Sequence, residues 1–162
     1  MIIFGVDPGT ARMGWGVIDT NEKNFHAVQY GCITTDKTEL PERRLLIIYT
    51  ALISLLTKYT PDIVTLEELF FTTNAKTVIP VAQSRGTILL AAAQKHIPVV
   101  SYSPLAVKRT VTGDGKADKV QVQRMVTRLL HLPEIPKPDD TADALAIALT
   151  HAYSYKMKGK TV

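Results

Sequence analysis

The chain opens on an uninterrupted strand-forming run, Ile2-Ile3-Phe4-Gly5-Val6, which breaks at once into Asp7-Pro8-Gly9-Thr10. A run without polar alternation belongs inside a sheet covered by helices, so Asp7 is lifted to the C-terminal edge of a buried strand. Open α/β sheets place their chemistry at that edge. Val64-Thr65-Leu66-Glu67-Glu68 repeats the pattern with a second acid, and Asp139-Asp140-Thr141-Ala142-Asp143 sets further acids at the start of an apolar helix.

The elements between these segments define the architecture. Strands are expected over residues 1–7, 14–19 and 25–34, parted by the turn-prone Asp19-Thr20-Asn21, which reads as an antiparallel meander. From Pro41 the period becomes helical, with Leu45, Leu46, Tyr49, Leu52, Ile53 and Leu56 in step until Thr60-Pro61, before a strand over 63–67. A long helix over 74–95, a strand over 98–103, helices over 104–112 and 118–130, and a last helix from about Asp139 follow. A meander followed by crossover units predicts an α/β protein with a mixed five-stranded sheet and helices on both faces. One domain over 1–155 is expected, with 156–162, carrying Lys156, Lys158 and Lys160, as a loose basic tail.

Composition narrows the function classes. With 46% hydrophobic and 21% charged residues the chain is an ordinary globular one, and its +4 charge is too small an excess to prove a polyanionic partner while leaving nucleic acid open. The lone Cys32 cannot form an internal disulfide and is expected as a small buried hydrophobe, which suits a reducing compartment. No signal sequence and no membrane-length apolar run is evident, so a cytoplasmic location without membrane attachment is the expectation.

Any single acid can simply cap a helix or face water, and Asp139 or Asp140 is a suitable N-cap. That does not account for Asp143. Asp140 and Asp143 lie three apart, which on a helix sets like charges about 5–6 Å apart at Cβ and is unfavourable without a cation. If the Asp7 strand lies beside a parallel Glu67 strand, the last helix can lay both acids across their ends. Oxygen donors without a Cys or His cluster favour Mg²⁺ or Mn²⁺ over zinc. Two such ions about 4 Å apart suit phosphodiester hydrolysis.

The segments Gly5-Val6-Asp7-Pro8-Gly9-Thr10, Leu66-Glu67-Glu68-Leu69-Phe70, Gln83-Ser84-Arg85-Gly86, Asp118-Lys119-Val120-Gln121-Val122-Gln123 and Asp140-Thr141-Ala142-Asp143-Ala144-Leu145 resemble those of RuvC, the bacterial Holliday junction resolvase family, almost end to end. The resemblance implies an RNase H-like fold and a homodimeric endonuclease that binds four-way DNA junctions. It further implies paired symmetric nicks, a place in homologous recombination and repair, and work beside the RuvA-RuvB branch-migration complex. Carried over motif by motif, it implies Asp7, Glu67, Asp140 and Asp143 as catalytic metal ligands for two Mg²⁺ per active site, with Mn²⁺ able to substitute.

Two alternatives stay open within that set. Glu67 and Glu68 point to opposite faces of a strand, so only one can share the site, and the motif register favours Glu67. Asp139 also shares a helix face with Asp143, and register favours Asp140 as ligand with Asp139 as N-cap. The resemblance implies that Phe70 stacks on unpaired bases at the junction centre, and that Lys108 and Lys119 contact DNA near the cleaved strand. Ordinary packing for the aromatic, and solvation for the lysines, are the plain alternatives. The helix over 74–95 carries too much apolar surface for one stripe, which fits a two-fold dimer. The four scattered histidines receive no role.

Two other classes compete. The first hairpin also resembles the phosphate loop of actin-like and sugar-kinase ATPases, but such enzymes need a second domain and a second glycine-rich segment. A non-catalytic junction-binding protein would have lost its acids, and all four are here.

Overall fold

A computed structural model describes residues 1–20, 25–68 and 75–158, with 75–77 and 157–158 as backbone only. Three strands run first, β1 (Ile2–Asp7), β2 (Arg12–Asp19) and β3 (His26–Thr34). Then come α1 (Pro41–Tyr59), β4 (Ile63–Glu67), α2 (Ala75–Gln94), β5 (Val99–Tyr102), α3 (Pro104–Thr112), α4 (Lys119–Leu129) and α5 (Asp139–Lys158). The five strands form one sheet in the order β3-β2-β1-β4-β5. β1 pairs antiparallel with β2 and parallel with β4, so the mixed sheet and the neighbouring acid-bearing strands are as the sequence predicts.

Strand alternation divides the side chains between two helical layers. Phe4, Val6, Met13, Val17, Val64 and Leu66 face one way, against Ile48, Leu52 and Leu56 of α1 and Ile88, Ala91 and Ala92 of α2. Ile3 and Ile18 face the other way, against α5 and the buried Val107, Val111, Val122 and Val126 of α3 and α4. Asp7 and Glu67, odd-numbered like Ile3 and Ile63, fall on the α5 side, and Glu68 follows on the opposite parity. This is the physical content of the choice between Glu67 and Glu68.

Helix boundaries follow local chemistry. Ser103 caps α3 by accepting from the Ala106 amide, Pro104 fills its first turn, and Gly113 ends it at φ 83°. Asp118 and Gln121 form a reciprocal capping box that opens α4. Helix α5 is buried on nearly every side, with Ala142, Ala144, Leu145, Ala146, Ile147, Ala148 and Leu149 all at 1% exposure or less. Such a helix lacks a polar stripe because it has sheet on one side and helices on the other.

Its close seat depends on glycines. A Cβ at Gly5 would strike the Ala144 carbonyl, and one at Gly14 the Asp140 carbonyl and the Thr141 amide. At Gly16 it would meet the Leu145 side chain. These three positions lie side by side, Gly5 opposite Gly16 and Asp7 opposite Gly14. The α5 backbone therefore rests directly on the sheet beside Asp7.

Three expectations are corrected. Cys32 is half-buried rather than fully enclosed, because it lies on β3 at the sheet edge, opposite Gly14. Asp139 is the first residue of α5 rather than its cap. The helix continues to Lys158, through the first three positions expected as loose tail, and 159–162 lie outside the described residues. No helix among the described residues is long and apolar enough to cross a membrane.

Candidate active site

Asp7 ends β1, Glu67 ends β4, and Asp143 projects from the first turns of α5; all three line one cleft of about 270 Å³. Lys108 of α3 and Lys119 of α4 line it too, and its apolar wall is Pro104, Val107, Val122, Ala146 and Ile147. The capping box at Asp118 fixes Lys119 as the first residue of α4 and aims it at α5. Lys119 Nζ lies 2.7 Å from Asp139 and 3.0 Å from Asp143.

Asp140 stands on the Arg12 side of the cluster. Arg12 Nε is 3.1 Å from Asp140 Oδ2, and Arg12 also faces Asp139 at 3.7 Å. The Arg12 contact lacks hydrogen-bond alignment, so this buried Asp140 oxygen has no hydrogen-bond donor. Arg12 is the site neighbour that the sequence reading missed. Phe70 lies outside the described residues.

The electrostatics record the crowding. Asp7 is pushed up to about 8, first by burial and then by the charges of Asp143, Glu67 and Asp140, with Lys119 opposing. Burial, then Asp143, also raises Glu67, against Lys108 and Lys119. Asp143 is raised by burial against the pull of its Lys119 hydrogen bond. Asp139, more exposed, is lowered by its hydrogen bond to Lys119. Lys119 is pulled down by burial, but its bonds to Asp139 and Asp143 outweigh that and raise it.

The donor set is all oxygen and over-charged, which fits a hard divalent cation. A buried Asp140 oxygen that accepts no hydrogen bond and an Asp7 carboxyl raised by burial and by its acidic neighbours both fit such an ion. Among the described residues no three His, Cys, Asp or Glu side chains stand arranged as a finished cage. The α5 acids are engaged by the chain's own cations, Lys119 and Arg12.

The chain matches the family model "Crossover junction endodeoxyribonuclease RuvC" over residues 3–151. It is 50% identical over 158 residues to the crossover junction endodeoxyribonuclease RuvC of Fusobacterium nucleatum subsp. nucleatum, covering 98% of this chain and 83% of the relative. Among solved structures, Thermus thermophilus RuvC superposes with a TM-score of 0.90 at 34% identity, covering 98% of this chain and 97% of that one. The T. thermophilus protein in complex with a Holliday junction substrate superposes at 0.88 and 32% identity, with 97% and 96% covered.

Proposed function

The chain belongs to the RuvC family of crossover junction endodeoxyribonucleases, and on that premise we propose that it binds four-way DNA junctions and resolves them by paired symmetric nicks. The observation that carries the reading is the single cleft in which Asp7, Glu67 and Asp143 meet Lys108 and Lys119. Acids from three distant segments have no structural reason to share a desolvated cleft, and the lysines beside them suit a polyanionic substrate.

In this reading Asp7, Glu67, Asp140 and Asp143 hold Mg²⁺, two ions per site, with Mn²⁺ able to substitute. When bound, such ions supply Lewis acidity to the attacking water and to the leaving oxygen. The carboxylates fix where that charge sits. Lys119 and Lys108, both lining the cleft, would neutralise the phosphate at the cleaved strand. Val107, Val122, Ala146 and Ile147 keep one wall of the cleft dry, which strengthens each of these attractions. Phe70 stacks on unpaired bases at the junction centre.

A four-way junction has two-fold symmetry, so paired nicks call for two sites related by the same axis. Leu46 and Ile47 on α1 and Ile79, Leu89 and Leu90 on the neighbouring α2 are exposed, 40% to 61% each, and support a homodimer through this layer. A single nuclease domain, a cytoplasmic location, a role in recombination and repair, and work beside a RuvA-RuvB branch-migration complex complete the proposal.

A single assay separates this from its rivals. The protein is incubated with Mg²⁺ and either a mobile four-way junction, a linear duplex of the same sequence, or ATP. Paired nicks confined to the junction are expected. ATP turnover would favour an actin-like ATPase half-domain, and tight binding without cutting would favour a non-catalytic binder.

A further inference from the structure

We propose that the adjacent Ser84 and Arg85 of α2 are positioning residues, clamping the backbone carbonyls of Gly9 and Glu67 and so fixing the two strand-end acids relative to each other. The inference deepens the nuclease reading given above.

Arg85 donates from one guanidinium nitrogen to the Glu67 carbonyl at 2.6 Å and from the other to Ser101 Oγ at 2.7 Å. It thereby ties the end of β4 to β5. The β1–β4 ladder stops at Val6–Leu66, so Glu67 stands one residue past its last rung on the β1 side. The group Arg85 bonds is the Glu67 carbonyl and not its carboxylate, so Arg85 works through the backbone.

Ser84 is fully buried and donates to the Gly9 carbonyl at 3.2 Å, two residues beyond Asp7. Gly9 sits in a turn so tight that a Cβ there would strike the Arg12 carbonyl. One step of α2 therefore holds the turn after Asp7 and the strand end at Glu67, which approach from different parts of the sequence. A guanidinium spans two acceptors with fixed geometry, which an ammonium cannot do. Sites that bind a metal tolerate only about 0.5 Å of misplacement, so a rigid tie between the two acid-bearing strands has a direct chemical use.

The test compares Ser84→Ala, Arg85→Ala and Arg85→Lys with the wild type. Four quantities are read: single-turnover nicking of a four-way junction, the Mg²⁺ needed for half-maximal rate, junction affinity, and amide hydrogen exchange. Arg85→Ala is expected to cut about 10²-fold more slowly, as a displacement near 1 Å would cause. It should need more Mg²⁺ and bind the junction within twofold of wild type. The Glu68 amide, bonded to the Tyr102 carbonyl at 2.9 Å, should exchange at least tenfold faster. Guanidinium ion added to Arg85→Ala should restore part of the rate, and Arg85→Lys should fall between. Ser84→Ala, the milder change, should loosen residues 9 and 10 and serves where Arg85→Ala does not fold. Unchanged exchange and rates in the folded variants would overturn the clamp, as would junction affinity falling in step with rate. If the wild type does not cut junctions, the nuclease reading fails while exchange at residues 9, 10 and 68 still decides the clamp.

Discussion

Asp7→Asn should abolish nicking, leave junction binding within a few-fold of wild type, and make the metal-free protein more stable at pH 8. The first effect follows from losing a carboxylate that the proposed metals require; several kcal/mol of transition-state stabilisation is about 10³-fold or more in rate. The second follows because no phosphate-contacting cation is removed. The third comes from the pH linkage of a carboxyl whose pKa in the folded chain is about 8 against an ordinary 3.8. Between those values the folded state holds a proton that the unfolded chain releases. Stability from this group is therefore full below pH 3.8 and is lost as pH rises to about 8, by at most about 1.4 kcal/mol per pH unit.

Asparagine imitates the protonated acid and removes that loss. Glu67 and Asp143 are raised in the same direction, so a shallower slope should persist in the variant. Thermal unfolding in EDTA at pH 5 and pH 8 reads both slopes. A variant that cuts normally, or whose midpoint at pH 8 falls below wild type, contradicts the assignment of Asp7.

Gly14→Ala should be nearly as damaging, although it replaces no acid. Its methyl group would occupy the space of the Asp140 carbonyl and the Thr141 amide, and neither belongs to a flexible side chain. The first turn of α5 must lift off the sheet, carrying Asp140 and Asp143 away from Asp7. A shift of about 1 Å costs on the order of 10²-fold in rate, and overpacking costs about 1–3 kcal/mol or more of stability. Gly86→Ala is the control, since a Cβ there meets nothing within 4 Å and alanine favours a helix interior by about 0.5–1 kcal/mol. Nicking by Gly14→Ala at the Gly86→Ala rate would show that the glycine seat does not set the acid geometry.

The contrast between these two residues shows what the sequence makes legible. Asp7 is visible because an apolar run ending in an acid has meaning within six residues. The boundaries of α1, α3 and α4 are likewise local, set by Pro41, by Ser103-Pro104 and Gly113, and by the Asp118 box. The pairing of β1 with β4 was inferable because a crossover helix separates two strands. Gly14 is different. A glycine within a strand signals close approach, but what approaches is a helix more than 120 positions later.

Arg12 escaped notice for a similar reason. It opens β2, and its partners Asp139 and Asp140 reach it only through the topology. Local chemistry makes Asp139 a natural cap, yet its carboxylate joins Lys119 and Arg12 across three elements. The Ser84-Arg85 step was recognisable as a motif without its use being readable, since both acceptors are backbone carbonyls elsewhere in the chain.

Anomalous diffraction from crystals soaked with Mn²⁺ tests the convergence of the acids most directly. The expected result is a peak in the cleft within about 2–2.5 Å of carboxylate oxygens of Asp7 and Asp143, with Lys119 moved away from Asp143. A cleft without a peak at saturating Mn²⁺, with Lys119 still bonded to Asp143, would contradict the account.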